Sequence, residues 1–123
     1  MSFYYDGGAA VTDASSVSIQ GVGEAGAPPF EGTWVDSGDS DNDPAGYTII
    51  NNVVYLVGVV KSGVIGTTVF TLPSGFRPTK RKVLTCVSNG ALGVITILAT
   101  GEVQVTVGNI LGVSLDGIAF VVV

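Results

Sequence analysis

Residues 82–108 read KVLTCVSNGALGVITILATGEVQVTVG, and this stretch decides the fold class. KVLTCVS stops at Asn89-Gly90, the pair that best tolerates the left-handed conformations of a two-residue hairpin turn. GVITILA follows and ends at Thr100-Gly101. EVQVTVG then alternates, which predicts Val103, Val105 and Val107 on a buried face and Gln104 and Thr106 on a wet one. These are short strands separated by turn signals, and no apolar set recurs at helical spacing.

The same pattern continues in both directions. Upstream lie YTII (47–50) and VVYLVGVV (53–60), separated by Asn51-Asn52, and then TTVFTL (67–72), which ends at Pro73. Downstream, GVSL (112–115) and IAFVVV (118–123) flank Asp116-Gly117. About eight short strands at this spacing predict an all-β fold, an antiparallel β-sandwich or jelly-roll-like knob. Between TTVFTL and KVLTCVS sits PSGFRPTKR, with Lys82 opening the next strand. Pro73 ends one strand and Pro78 delays the next, because neither can donate to a ladder. Gly75 gives the turn its backbone freedom, Phe76 is placed to plug the sandwich end, and Arg77 to pin the loop on a carboxylate or carbonyls. The five residues read as a structural corner.

Composition narrows the function. The chain has 123 residues, 46% of them hydrophobic and 12% charged, with one cysteine and no histidine. Its mean hydropathy is +0.55, yet Gly, Ser, Thr and Asn interrupt every apolar run before it reaches the length of a spanning helix, so no membrane insertion is expected. Without histidine, the commonest general base and most zinc sites are missing. Cys86 has no base to activate it and reads as a small core residue. Glycoside hydrolysis needs two carboxylates at a set separation, and residues 44–123 hold only Glu102 and Asp116, in turns. The expectation is a protein that is not an enzyme and takes no cofactor or metal.

Charge divides the chain. Residues 1–43 carry eight acidic residues and no basic one, whereas residues 44–123 carry all five basic residues, four of them at 77–82. The first part is therefore expected to be an extended acidic arm with aromatic anchors, Phe3, Tyr4 and Tyr5 foremost, and residues 44–123 the knob. GVGEAG (21–26) matches a dinucleotide fingerprint by letter, but Ala27-Pro28-Pro29 follows where a helix must begin. DSDND (39–43) starts like a calcium loop, then places Pro44 and Ile50 where Gly and Glu are required. The net charge of −5 argues against nucleic acid as a partner. The basic cluster is placed instead to solubilise the surface or to meet the acidic arm of a neighbouring copy.

With these segments in place, W34…GYTIINNVVYLVGVVKSG…TTVFTLPSGFRP…KVLTCVSNG…GVITILATGEVQV…VSLDGIAF resembles the knob domains of tailed-bacteriophage fibre and virion surface proteins. FTLPSGFRP, residues 70–78, is the most specific part of the likeness. The resemblance implies a β-sandwich knob, usually trimeric, carried on a virion assembled in the bacterial host cytoplasm, with the major capsid or tail proteins as partners. Family fibres commonly carry a long shaft; about 40 residues precede the knob in this chain, which suits head decoration or a short spike as well as a fibre tip.

Two runs, 53–60 and 118–123, are apolar on both faces, so association is expected to cover one face. Val54, Leu56, Val121 and Val123 are expected at the interface of a homotrimer. The alternative function is receptor binding, with Trp34, Tyr47 and Tyr55 stacking on a host-surface glycan.

Overall fold

The computed structural model describes residues 19–123, together with the backbone of two short strands before them, β1 (Tyr5–Asp6) and β2 (Ala9–Ala10), which pair antiparallel. Among the described residues all ladders are antiparallel and there is no helix; none is long and apolar enough to cross a membrane. Phe3 and Tyr4 of the expected arm lie outside the described residues, and Tyr5 is described only by its backbone.

The first layer grows from residues 82–108. β9 (Lys82–Ser88) turns through Asn89 and Gly90 into β10 (Ala91–Ile97), with Ser88 opposite Ala91. Both turn residues have positive φ, 49° and 81°, the geometry whose twist matches flanking strands. β10 passes to β11 (Glu102–Val107), which pairs with β8 (Thr68–Thr71), so the order is β8-β11-β10-β9. Val107 departs from the expected alternation. Val94 pairs with Val107 but Ile95 with Val105, leaving Thr106 as an extra residue. A bulge of this kind shifts the facing of the next residue, and Val107 turns outward.

The second layer consists of two small sheets that meet where the chain passes from β6 to β7 at Gly58. β5 (Gly46–Ile50) turns at Asn51-Asn52 into β6 (Val53–Val57), flanked by β13 (Ala119–Val121) and β3 (Gln20–Gly21) in the order β13-β6-β5-β3. Beyond Gly58 the chain continues as β7 (Val59–Lys61), between β12 (Val113–Ser114) and β4 (Val35–Asp36). The expected single strand 53–60 is thus broken at Gly58. That residue has φ +101°, and a Cβ there would lie 2.6 Å from the Ala45 backbone. Its N–H donates to Asp116 Oδ1 at 2.8 Å and its carbonyl accepts from Leu115 N–H at 2.7 Å. Opposite, Ser37 N–H donates to the Val59 carbonyl at 2.8 Å and Ala45 N–H to Asp36 Oδ1 at 2.8 Å. The loop 37–45 and the turn 115–118 are insertions on either side of one glycine.

The core lies between the layers, with Phe70, Ile95, Ile97, Val103 and Val105 meeting Val54, Leu56, Val60, Leu115 and Phe120, all buried. Each such side chain contributes about 1.5–3 kcal/mol. Packing does not change at residue 43. Val22 and Trp34 are buried in the same core, β3 pairs with β5, β4 pairs with β7, and Glu31 N–H donates to the Val69 carbonyl at 2.8 Å. Residues 19–43 belong to the folded body, because Phe30 and Trp34 supply apolar area that the surrounding Gly, Ser and Asp conceal in the composition.

Candidate functional site

The corner 73–78 forms around a short turn. Leu72 N–H donates to the Gly101 carbonyl at 2.8 Å, and Phe76 N–H to the Pro73 carbonyl at 3.1 Å, with Gly75 at φ +96° between them. Phe76 sets its edge on Tyr47, centroids 5.0 Å apart and planes at 77°, and Tyr47 stacks on Phe70 at 6.2 Å. Arg77 Nε donates to the Leu72 carbonyl at 2.7 Å, and Pro78 is buried. The corner therefore ties β8, the β10–β11 turn and β5 together. Beyond it Lys80 and Arg81 are exposed and Lys82 is half-buried.

The three aromatics expected to stack on a sugar part company. Trp34 is buried and its Nε1 donates to Thr67 Oγ1 at 2.9 Å. Tyr47 is buried in the core. Tyr55 alone stands on the surface. A ring enclosed by protein has no face to offer a sugar, so Trp34 and Tyr47 are core residues. The expected interface divides by the same logic. Period-2 alternation turns Val54 and Leu56 into the core while Val53, Tyr55 and Val57 face outward. Val121 and Val123 are exposed. Val54 and Leu56 therefore cannot meet a neighbour.

The acidic residues have local work. Asp36 accepts from Ala45 N–H at 2.8 Å and Gly38 N–H at 3.2 Å, and Asp39 Oδ1 from Asp41 N–H at 2.9 Å. Among the described residues no group of three or more His, Cys, Asp or Glu could hold a metal ion. A cleft lined by Ile19, Gly21, Glu24, Asp43, Pro44, Ala45 and Val57 lies beside this loop. Ser88 escaped the sequence reading. It is buried, and its Oγ accepts from Asn109 N–H at 2.8 Å and donates to the Gly112 carbonyl at 2.8 Å. A lone serine before a hairpin carries no signal of a loop twenty residues away.

Cys86 is buried against Gly93, and burial pushes its thiol above the ordinary value of 9.0; burial likewise pushes the Tyr47 phenol above 10.0. Both groups ionise at lower pH in the unfolded chain than in the folded one. Their contribution to stability is complete below about pH 9 and is lost as the pH rises through the folded values. Urea midpoints should agree at about pH 7 and 8 and fall by about pH 10.5, with a smaller fall in Cys86→Ala. A midpoint unchanged at alkaline pH would contradict the burial of these groups.

What remains on the surface is apolar sheet. Val83, Val87, Leu92 and Val107 project from the outer face of β9, β10 and β11, and Ile50, Tyr55 and Val121 from that of β5, β6 and β13. No family model matches the chain, and no curated protein or solved structure matches it.

Proposed function

We propose that this chain is a non-enzymatic structural protein of a tailed-bacteriophage virion. In this reading it is a trimeric, jelly-roll-like knob attached to the major capsid or tail proteins through its N-terminal arm. The observation that carries it is the corner 70–78. This segment is the most specific part of the likeness to phage knobs, and here it closes one end of a two-layer, β-sandwich-like body through Phe76 and Arg77. The apolar residues left on both outer sheet faces support assembly with other chains. Of the residues considered for glycan stacking only Tyr55 is accessible, which favours attachment to the particle over receptor binding.

The test is reconstitution. Purified full-length protein added to particles that lack it should bind. A chain beginning at Ile19 should keep its thermal transition and lose binding by about 100-fold or more, since it retains β3 to β13 and lacks the proposed anchors Phe3, Tyr4 and Tyr5. Undiminished particle binding by the truncated chain overturns the anchoring role. Binding to host cells with none to particles selects the receptor-binding alternative.

A further inference from the structure

We infer that the outer face of β9, β10 and β11, with the cations that lead into β9, is a contact surface for the acidic loop 36–43 and adjoining surface of a second copy of this chain. The inference rests on the proposal that the chain self-assembles, and names the surface that does it.

Exposure and register define the surface. Val83 is 65% exposed, Val87 62%, Leu92 68% and Val107 50%. Leu92 pairs with Val87, and Val94 with Val107, so Val87, Leu92 and Val107 adjoin across three strands, and Val83, opposite Thr96, continues the same face along β9 toward the cations. Contiguous apolar patches of this kind are uncommon on monomers and mark interaction sites. β9 is also the last strand of its sheet. Its sequence from Val83 to Ser88 has no proline and no charge, the usual devices that blunt an edge.

Charge identifies the occupant. Arg81 precedes Val83 by two residues, one strand period, and Lys80 and Lys82 flank it. Among the described residues none of these three cations has a carboxylate partner. A surface that is apolar and fringed with positive charge fits an acidic partner with apolar surroundings. The same chain presents one: Asp39, Asp41, Asp43 and Glu24 are exposed beside the cleft formed by Ile19, Pro44 and Val57. The other apolar face, with Tyr55 40%, Ile50 40%, Val121 43% and the terminal Val123 75% exposed, is bordered by no cationic cluster, and charge separates the two.

Position gives the mode. β12 packs against β9, whereas β4, which leads into the acidic loop, is the opposite edge of the sheet that holds β12, and β3 is the opposite edge of the sheet that holds β13. Two different patches on different sides make a head-to-tail contact, which either closes into a ring or runs on as a filament. A ring of three copies satisfies every patch.

Light scattering on the full chain at micromolar concentration reads the result. The wild type should be a discrete oligomer at about 50 mM salt and weaken at about 500 mM, where charges are screened beyond a few ångströms. Leu92→Asp should give a monomer that still unfolds in one cooperative transition, since that side chain is already exposed, with a melting temperature that no longer depends on protein concentration. Lys80→Glu/Arg81→Glu should weaken assembly by about 100-fold, because like charges then face each other. Adding Asp39→Lys/Asp41→Lys to the same chain should restore it. Val121→Asp should leave the oligomer intact. An oligomer that survives Leu92→Asp but not Val121→Asp overturns this surface and keeps self-assembly. Indifference to the charge reversals overturns the acidic loop as occupant. A wild type that is monomeric at every salt concentration overturns both readings.

Discussion

Trp34→Ala is expected to cost about 3–5 kcal/mol of stability, the range for removing a large aromatic from a packed core. Trp34 is the single tryptophan of the chain and is fully enclosed. Its indole lies flat on Gly63, where an added methyl would overlap the ring, and its Nε1 donates to Thr67. Substitution opens a cavity, leaves the Thr67 hydroxyl short of a donor and releases the segment that brings β4 to β7. Domains of this size have about 5–15 kcal/mol in total, so the loss is a large share. Denaturant unfolding followed by circular dichroism checks it. A loss below about 1 kcal/mol would mean that residues 19–43 are an accessory arm resting on an independent body.

Gly58→Ala should cost a comparable amount, about 3–5 kcal/mol. Two penalties combine at this position. Its φ of +101° is unfavourable for any residue with a Cβ. The new methyl would also sit 2.6 Å from the Ala45 Cα and N, and backbone cannot swing aside as a flexible side chain does. Relief requires moving Ala45 or flattening the bend, and either change disturbs the Gly58–Asp116 and Ala45–Asp36 hydrogen bonds. Gly75→Ala is the control. Its φ is +96°, but nothing lies within 4 Å of the added methyl, so the expected loss is only about 1–2 kcal/mol. Equal losses at the two glycines would show that backbone strain alone, not the bend at Ala45, sets the cost.

The candidate surface was partly legible beforehand. The apolar excess predicts association, and the cations at 77–82 are read either as a solubilising connection or as a partner for an acidic arm; of these, Lys80, Arg81 and Lys82 border the proposed contact, while Arg77 is held in the corner. The specific residues expected there, Val54 and Leu56, were misplaced, because a run that is apolar on both faces carries no mark of which face is inward. The exposed face of β9 and β10 was hidden for the same reason. Val83, Val87 and Leu92 look like core residues by type, and only the opposing layer determines that Leu84, Cys86 and Ile95 point inward instead.

Features that depend only on neighbours along the chain are legible in the residues themselves. The two-residue turns at Asn51-Asn52 and Asn89-Gly90, the all-β character, and the halt at Pro73 followed by the turn at Gly75 all follow from backbone preferences expressed over a few residues. The remaining features are set by contacts between distant residues. Trp34 is core because Gly63 and Thr67 receive it from about thirty residues away. The strand 53–60 breaks because Ala45 and Asp116 converge on Gly58 from opposite directions. Val107 faces outward because Val94 and Ile95 on the neighbouring strand set the register that makes Thr106 a bulge. In each case the deciding energy is a contact between residues far apart in the chain, and local periodicity does not record which distant residue will supply it.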